Sequence, residues 1–90
     1  MVAKEKEYSR ILKALANHRR LAIVSYLKHK KESAVTDVAE HLNLSVKATS
    51  KHILLLAAAG IVDKEQHSKL MLCSIAVDLP AIARPIVKLL

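Results

Sequence analysis

Ser45, Lys47, Ala48, Ser50 and Lys51 lie close together and carry groups suited to reading a nucleic-acid duplex. A lysine ammonium can donate to guanine O6 and N7 or to phosphate. A serine hydroxyl can do either, and an alanine methyl can meet a thymine methyl. At about 100° per residue, a helix over this stretch gathers Val46, Thr49, Ile53 and Leu56 in one sector. That sector is the expected core face. Lys47, Ala48, Lys51, Leu55 and Ala58 fall opposite, with Ser50 and His52 on the flanks. Ser45 is placed to cap the helix, and the unpaired N–H groups behind it suit a phosphate. Lys64, His67 and Lys69, with Ser68, form a second polar group further along. On a projecting loop they would meet phosphates, although Asp63 and Glu65 partly cancel their charge. The plain alternative for Lys47 and Lys51 is a solvated face of an amphipathic helix.

Other site chemistry is poorly supported. His18, His29, His41, His52 and His67 are scattered, and none pairs at i, i+4 with another metal ligand. No metal site and no cofactor is expected. Cys73, the only cysteine, falls within an apolar run and reads as a buried, inert thiol. No nucleophile stands beside a base at a recognisable spacing, so no catalytic residue is assigned and the chain is not expected to be an enzyme. A single glycine leaves no room for a glycine-rich phosphate loop.

The elements that must hold the lysines can be read from periodicity. Tyr8, Ile11, Leu12 and Leu15 share one face of a first helix, about 3–16. Asn17 can cap a second helix, which carries Leu21, Val24 and Leu27 and closes at the basic run Lys28–Lys31. Thr36 is the expected cap of a short third helix, with Val38, Ala39 and Leu42 inward. Leu44 follows at a tight turn and is expected to plug the core. The fourth helix runs to Ala59, and Gly60 suits the left-handed residue that ends it. Ile61–Gln66 and Leu70–Val77 read as two strands around a polar turn. Leu79, Ile82, Ile86 and Leu89 recur at helical spacing over 79–90, with Pro80 in a first turn and Pro85 kinking or restarting the helix. The order is four helices, two strands and a helix. The class is mainly α with a small β-hairpin, a winged helix-turn-helix: helix-turn-helix about 36–59, wing about 61–77.

Ninety residues make one small domain, 1–90, and exclude much else. One cysteine cannot build a disulfide framework. The longest apolar run, Ile53–Val62, is far short of a membrane span. The charged start, Met1–Glu7, lacks the apolar stretch of a signal peptide. A cytoplasmic protein with no membrane partner is expected. A net charge of +7 points to a polyanion or an acidic surface. A chain this short buries roughly 60% of its unfolded surface, so part of its 52% apolar content is expected between chains.

Leu12–Leu21, Thr36–Leu42, Leu44-Ser45, Ser50–Ile53 and Ala59–Val62 together resemble the ArsR/SmtB family of winged-helix transcriptional regulators. The resemblance runs from about Ile11 to Ile75. It is most specific at Leu15-Ala16 to Arg20-Leu21, at Ser50-Lys51-His52 and at Ala59-Gly60. It implies a homodimer whose first and last helices pack together, operator binding, and repression relieved by a metal or other signal. Two departures stand out. Ala34 and Thr36 occupy the positions of a Cys-x-Cys metal site found in many members. The segment Asp78–Lys88 has one carboxylate and no histidine where another site would need a pair of ligands. Sensing through either site is therefore not expected.

The resulting expectation is a homodimeric, sequence-specific regulator of double-stranded DNA, acting as a repressor. Ser45, Lys47, Ala48, Ser50, Lys51, Lys64, His67 and Lys69 would contact DNA. Tyr8, Ile11, Leu12, Leu15, Leu79, Ile82, Ile86 and Leu89 would form the dimer. Leu54-Leu55 followed by three alanines motivates an alternative, a winged helix that binds protein. A third reading is architectural DNA binding without sequence preference.

Overall fold

The computed structural model describes residues 2–90, with side chains from Lys4 onward. Helix α1 spans Val2–Leu15 and α2 spans His18–Lys30. The break between them is made by Asn17, in extended conformation, whose side chain accepts from the N–H groups of Arg19 and Arg20. This is the capping expected there, and it satisfies donors that the first turn leaves unpaired. Tyr26 of α2 stacks on His41, ring centres 4.4 Å apart, and joins α2 to the third helix.

Strand β1 (Ser33–Ala34), helix α3 (Val35–Leu42) and helix α4 (Val46–Ala58) follow. Strand β1 is absent from the sequence reading, and it corrects the assignment of Thr36 as a cap. The chain enters α3 directly from the sheet, so the residue at the cap is Ala34, with no side-chain bond, and Thr36 is exposed in the first turn. Asn43 then turns the chain with φ 55°, and the Leu44 N–H reaches back to the Ala39 carbonyl at 2.9 Å. Asparagine tolerates this left-handed conformation better than most residues. Leu44 itself is only half-buried and lies outside the main core cluster, contrary to its expected role as a plug.

Gly60 ends α4 as expected. Its φ is +77°, its N–H donates to the Ala57 carbonyl, and the Ile61 N–H donates to Leu56. These paired bonds satisfy the last carbonyls of α4 and turn the chain into the sheet. Strands β2 (Val62–His67) and β3 (Leu70–Ile75) form an antiparallel hairpin, with Val62 opposite Ile75 and His67 opposite Leu70. β1 pairs on the other edge of β3, so the sheet order is β1-β3-β2.

Helix α5 spans only Arg84–Leu89, which shortens the helix expected over 79–90. Proline has no N–H to bond four residues back, and its ring crowds the preceding turn. Pro85 is therefore tolerated only in the first turn, where it sits. Leu79 lies in irregular chain and Ile82 in the turn before α5, but both still pack against the core. The Lys28 ammonium donates to the Lys88 carbonyl at 2.8 Å and pins α5 against the end of α2. The core itself is aliphatic. Ile23, Val24, Leu27, Val38, Leu56 and Ile61 are fully buried at its centre.

Candidate nucleic-acid interface

The short helix α3, the Asn43 turn and the longer α4 make a helix-turn-helix, and the β2–β3 hairpin projects beside it as a wing. The first turn of α4 is built by Ser45. Its hydroxyl accepts from the Ala48 N–H at 3.0 Å, and its carbonyl accepts from the Thr49 hydroxyl at 2.9 Å. Thr49, Ile53 and Leu56 are buried and fix the rotation of the helix. That rotation leaves Lys47, Ser50 and Lys51 exposed and Ala48 half-buried.

One residue departs from the angular expectation. Val46 has the angle of the core face, yet it is 49% exposed. It sits in the first turn, past the packed body. There it lines a groove of about 210 Å³ with Ser50 and with Lys69 and Leu70 of the wing. Lys69 and the start of α4 thus border one depression. Leu54 and Leu55 are also exposed, on the later turns of α4.

At the wing tip, Lys64, His67 and Lys69 are exposed. The His67 ring is paired with the Glu65 carboxylate, whose hydrogen bond and charge raise the His67 pKa above its ordinary value. Ser68 turns the chain with φ 56°.

Sequence reasoning gave Arg20 no role, although it lies in one of the segments most like the family. Its guanidinium donates to the Ala14 and Lys13 carbonyls at 2.6 and 3.2 Å, and to His52 Nδ1 at 3.3 Å. An arginine can only donate, so Nδ1 accepts and the His52 ring is neutral. Burial, then the charges of Arg20, Arg19 and His18, hold the His52 pKa below its ordinary value. No local signal could have found it, because the partners of Arg20 lie on two other helices.

The residues expected at a dimer interface divide in three. Ile11 and Leu15 are buried inside the protomer. Tyr8 and Leu12 are exposed on the outer face of α1, and Leu89 is 86% exposed on α5. Leu79, Ile82 and Ile86 are partly buried against the core.

No metal chemistry suits the positions of the family's Cys-x-Cys site. Ala34 offers a methyl group and Thr36 a neutral hydroxyl, which do not fit a thiophilic cation. Among the described residues, no group of three or more His, Cys, Asp or Glu is placed to hold a metal ion. No helix among them is long and apolar enough to cross a membrane.

Helix-turn-helix and wing together define a winged helix-turn-helix protein. Comparison with known proteins agrees. The profile of the family described as bacterial regulatory protein, arsR family, matches residues 17–64. The cadmium resistance transcriptional regulatory protein CadC of Listeria innocua is 38% identical over 63 residues, which are 70% of this chain and 53% of that protein. CadC of Lactococcus lactis gives the same figures. The chain thus spans about half the length of the curated relatives it matches. Among solved structures, HlyU from Vibrio cholerae superposes with a TM-score of 0.82 at 26% identity, over 99% of this chain and 92% of that one. A homodimeric winged helix-turn-helix DNA-binding domain from Mycobacterium bovis, a possible ArsR-family transcriptional regulator, superposes with a TM-score of 0.81 at 26% identity. That match covers 98% of this chain and 75% of the other. The chain belongs to the arsR family of bacterial regulatory proteins.

Proposed function

We propose that this chain is a homodimeric repressor that binds a specific DNA duplex in the cytoplasm. The observation that carries this reading is the exposure of Lys47, Ser50 and Lys51 on the first turns of α4, with Lys69 bordering the same depression. A recognition helix reads the major groove with its N-terminal turns, and a wing beside it reaches the flanking backbone. Ser45, Ala48, Lys64 and His67 complete the contact set. Dimerisation through α1 and the C-terminal segment is supported by the exposed Tyr8, Leu12 and Leu89 and by the homodimeric relative. Because Ala34 and Thr36 do not fit a metal, the inducing signal acts elsewhere than at that family site.

The experiment is selection of duplexes from a random library, with and without added cadmium. The reading predicts an inverted repeat whose half-sites mirror the dimer, recovered equally with and without cadmium. Duplexes without a common motif would favour architectural binding, and no recovered DNA would favour a protein-binding winged helix. The exposed Leu54 and Leu55 are the specific observation behind that last alternative.

A further inference from the structure

A pocket of about 350 Å³ lies between α1, the start of α2 and the last turns of α4. Its floor is apolar: Ala14, Leu55, Ala58 and Ala59. Arg10, Lys13 and Arg20 supply its polar groups, and no carboxylate lines it. Two of these cations are held in place by the backbone. The Arg10 guanidinium donates to the Ala58 carbonyl at 2.7 Å, and Arg20 donates to the Ala14 carbonyl at 2.6 Å. Each guanidinium keeps further N–H donors beyond these bonds. The positive field is also felt nearby, since Arg20, Arg19 and His18 help to depress the His52 pKa.

Three cations without a lining acid, set over hydrocarbon, suit an anion that carries an apolar body. The volume matches small-ligand pockets, which are mostly apolar with a few placed polar groups. Ser45 and Ala58 are separated by 13 residues, so the pocket lies about 20 Å along the helix from the end that would enter a DNA groove. From this geometry we infer that the pocket binds a small amphipathic carboxylate, its charge on Arg10 and Lys13 and its apolar part against Leu55 and Ala58. Such a ligand would draw on the arginine that ties α1 to the end of α4, so its occupancy would bear directly on how α4 is held. The pocket itself does not depend on the DNA-binding reading.

The test is calorimetric titration of the intact chain, without DNA, with octanoate, octanamide and inorganic phosphate. Octanoate is expected to saturate one site per chain. Octanamide and phosphate are each expected to bind about tenfold more weakly or worse, because each lacks one of the two features. R10Q/K13Q is expected to weaken octanoate by about tenfold, and K64Q/K69Q to leave it unchanged. Should R10Q/K13Q not fold, A58L, which fills the floor from an exposed helix position, is expected to abolish octanoate binding. The inference is overturned if octanoate does not bind, if octanamide or phosphate binds as well, or if both R10Q/K13Q and A58L bind octanoate like the native chain. It is also overturned if octanoate affinity falls as the protein dimerises, because a second copy would then be the occupant.

Discussion

Arg20 at the start of α2 donates a hydrogen bond to His52 in the middle of α4, Nη1 to Nδ1 at 3.3 Å. The same guanidinium holds the last carbonyls of α1. Three helices are therefore tied at one side chain, and one of them carries Lys47 and Lys51. The bond sets the position of α4 from behind while its outward face stays exposed.

Removing that tie is expected to cost stability. Arg20→Met keeps the hydrocarbon stem but abandons the Ala14 and Lys13 carbonyls and His52. A loss of about 1–3 kcal/mol is expected in urea unfolding. Arg20→Lys, with one donor group instead of a planar fork, should recover part of it. Unchanged stability in both variants would mean that the network is incidental.

His52 gives a pH signature. Its folded pKa lies below the unfolded value, so the folded chain resists protonation. The associated stability is complete above the unfolded value, near 6.5, and is lost as pH falls through the lower folded value. Native protein should therefore lose more stability than His52→Gln between neutral pH and mild acid. Parallel curves for the two would contradict the neutral ring.

Two backbone positions should respond oppositely to substitution. Gly60 sits at φ +77°, so Gly60→Ala should destabilise by about 1 kcal/mol. Lys31 sits at φ 63° and ψ −55°, poor geometry for a side chain, so Lys31→Gly should stabilise by about 0.5–1 kcal/mol. Thermal unfolding of the two variants reads both signs.

Cys73 is buried, and its thiol donates to the Ser33 carbonyl at 3.3 Å. Burial, with Glu32 adding, pushes its pKa up to about 11. At pH 8 the thiolate is then on the order of one in a thousand molecules. A thiol reagent should react slowly with native protein and rapidly in denaturant. Equal rates would show that the strand opens freely.

The helix-turn-helix was legible because its signals are local. Asn17 and Ser45 carry capping chemistry in their own side chains, Gly60 owes its left-handed freedom to having none, and the structure uses all three as expected. What escaped was non-local. β1 is two residues long and exists only through pairing with Leu72 and Cys73. Its presence moved the start of α3 from the expected Thr36 cap. Leu79 and Ile82 do face the core, but from outside any helix, because periodicity records burial and not the hydrogen bond that Pro85 cannot make. Val46 and Arg20 were misread or passed over for the same reason. One borders a groove beside the wing and does not reach the core, and the other acts through partners on two other helices.

The central claim is that the first turns of α4 and the wing bind duplex DNA. Its most direct test is the affinity for the selected duplex across a salt series, for native protein and for K47A/K51A. Native affinity should fall linearly on a log–log plot, by a slope of about −0.9 for each phosphate neutralised. K47A/K51A should remain folded, bind about tenfold more weakly or worse, and no longer prefer the selected sequence. A native chain that binds no duplex at low salt, or a K47A/K51A chain that binds and discriminates like native, would contradict the account.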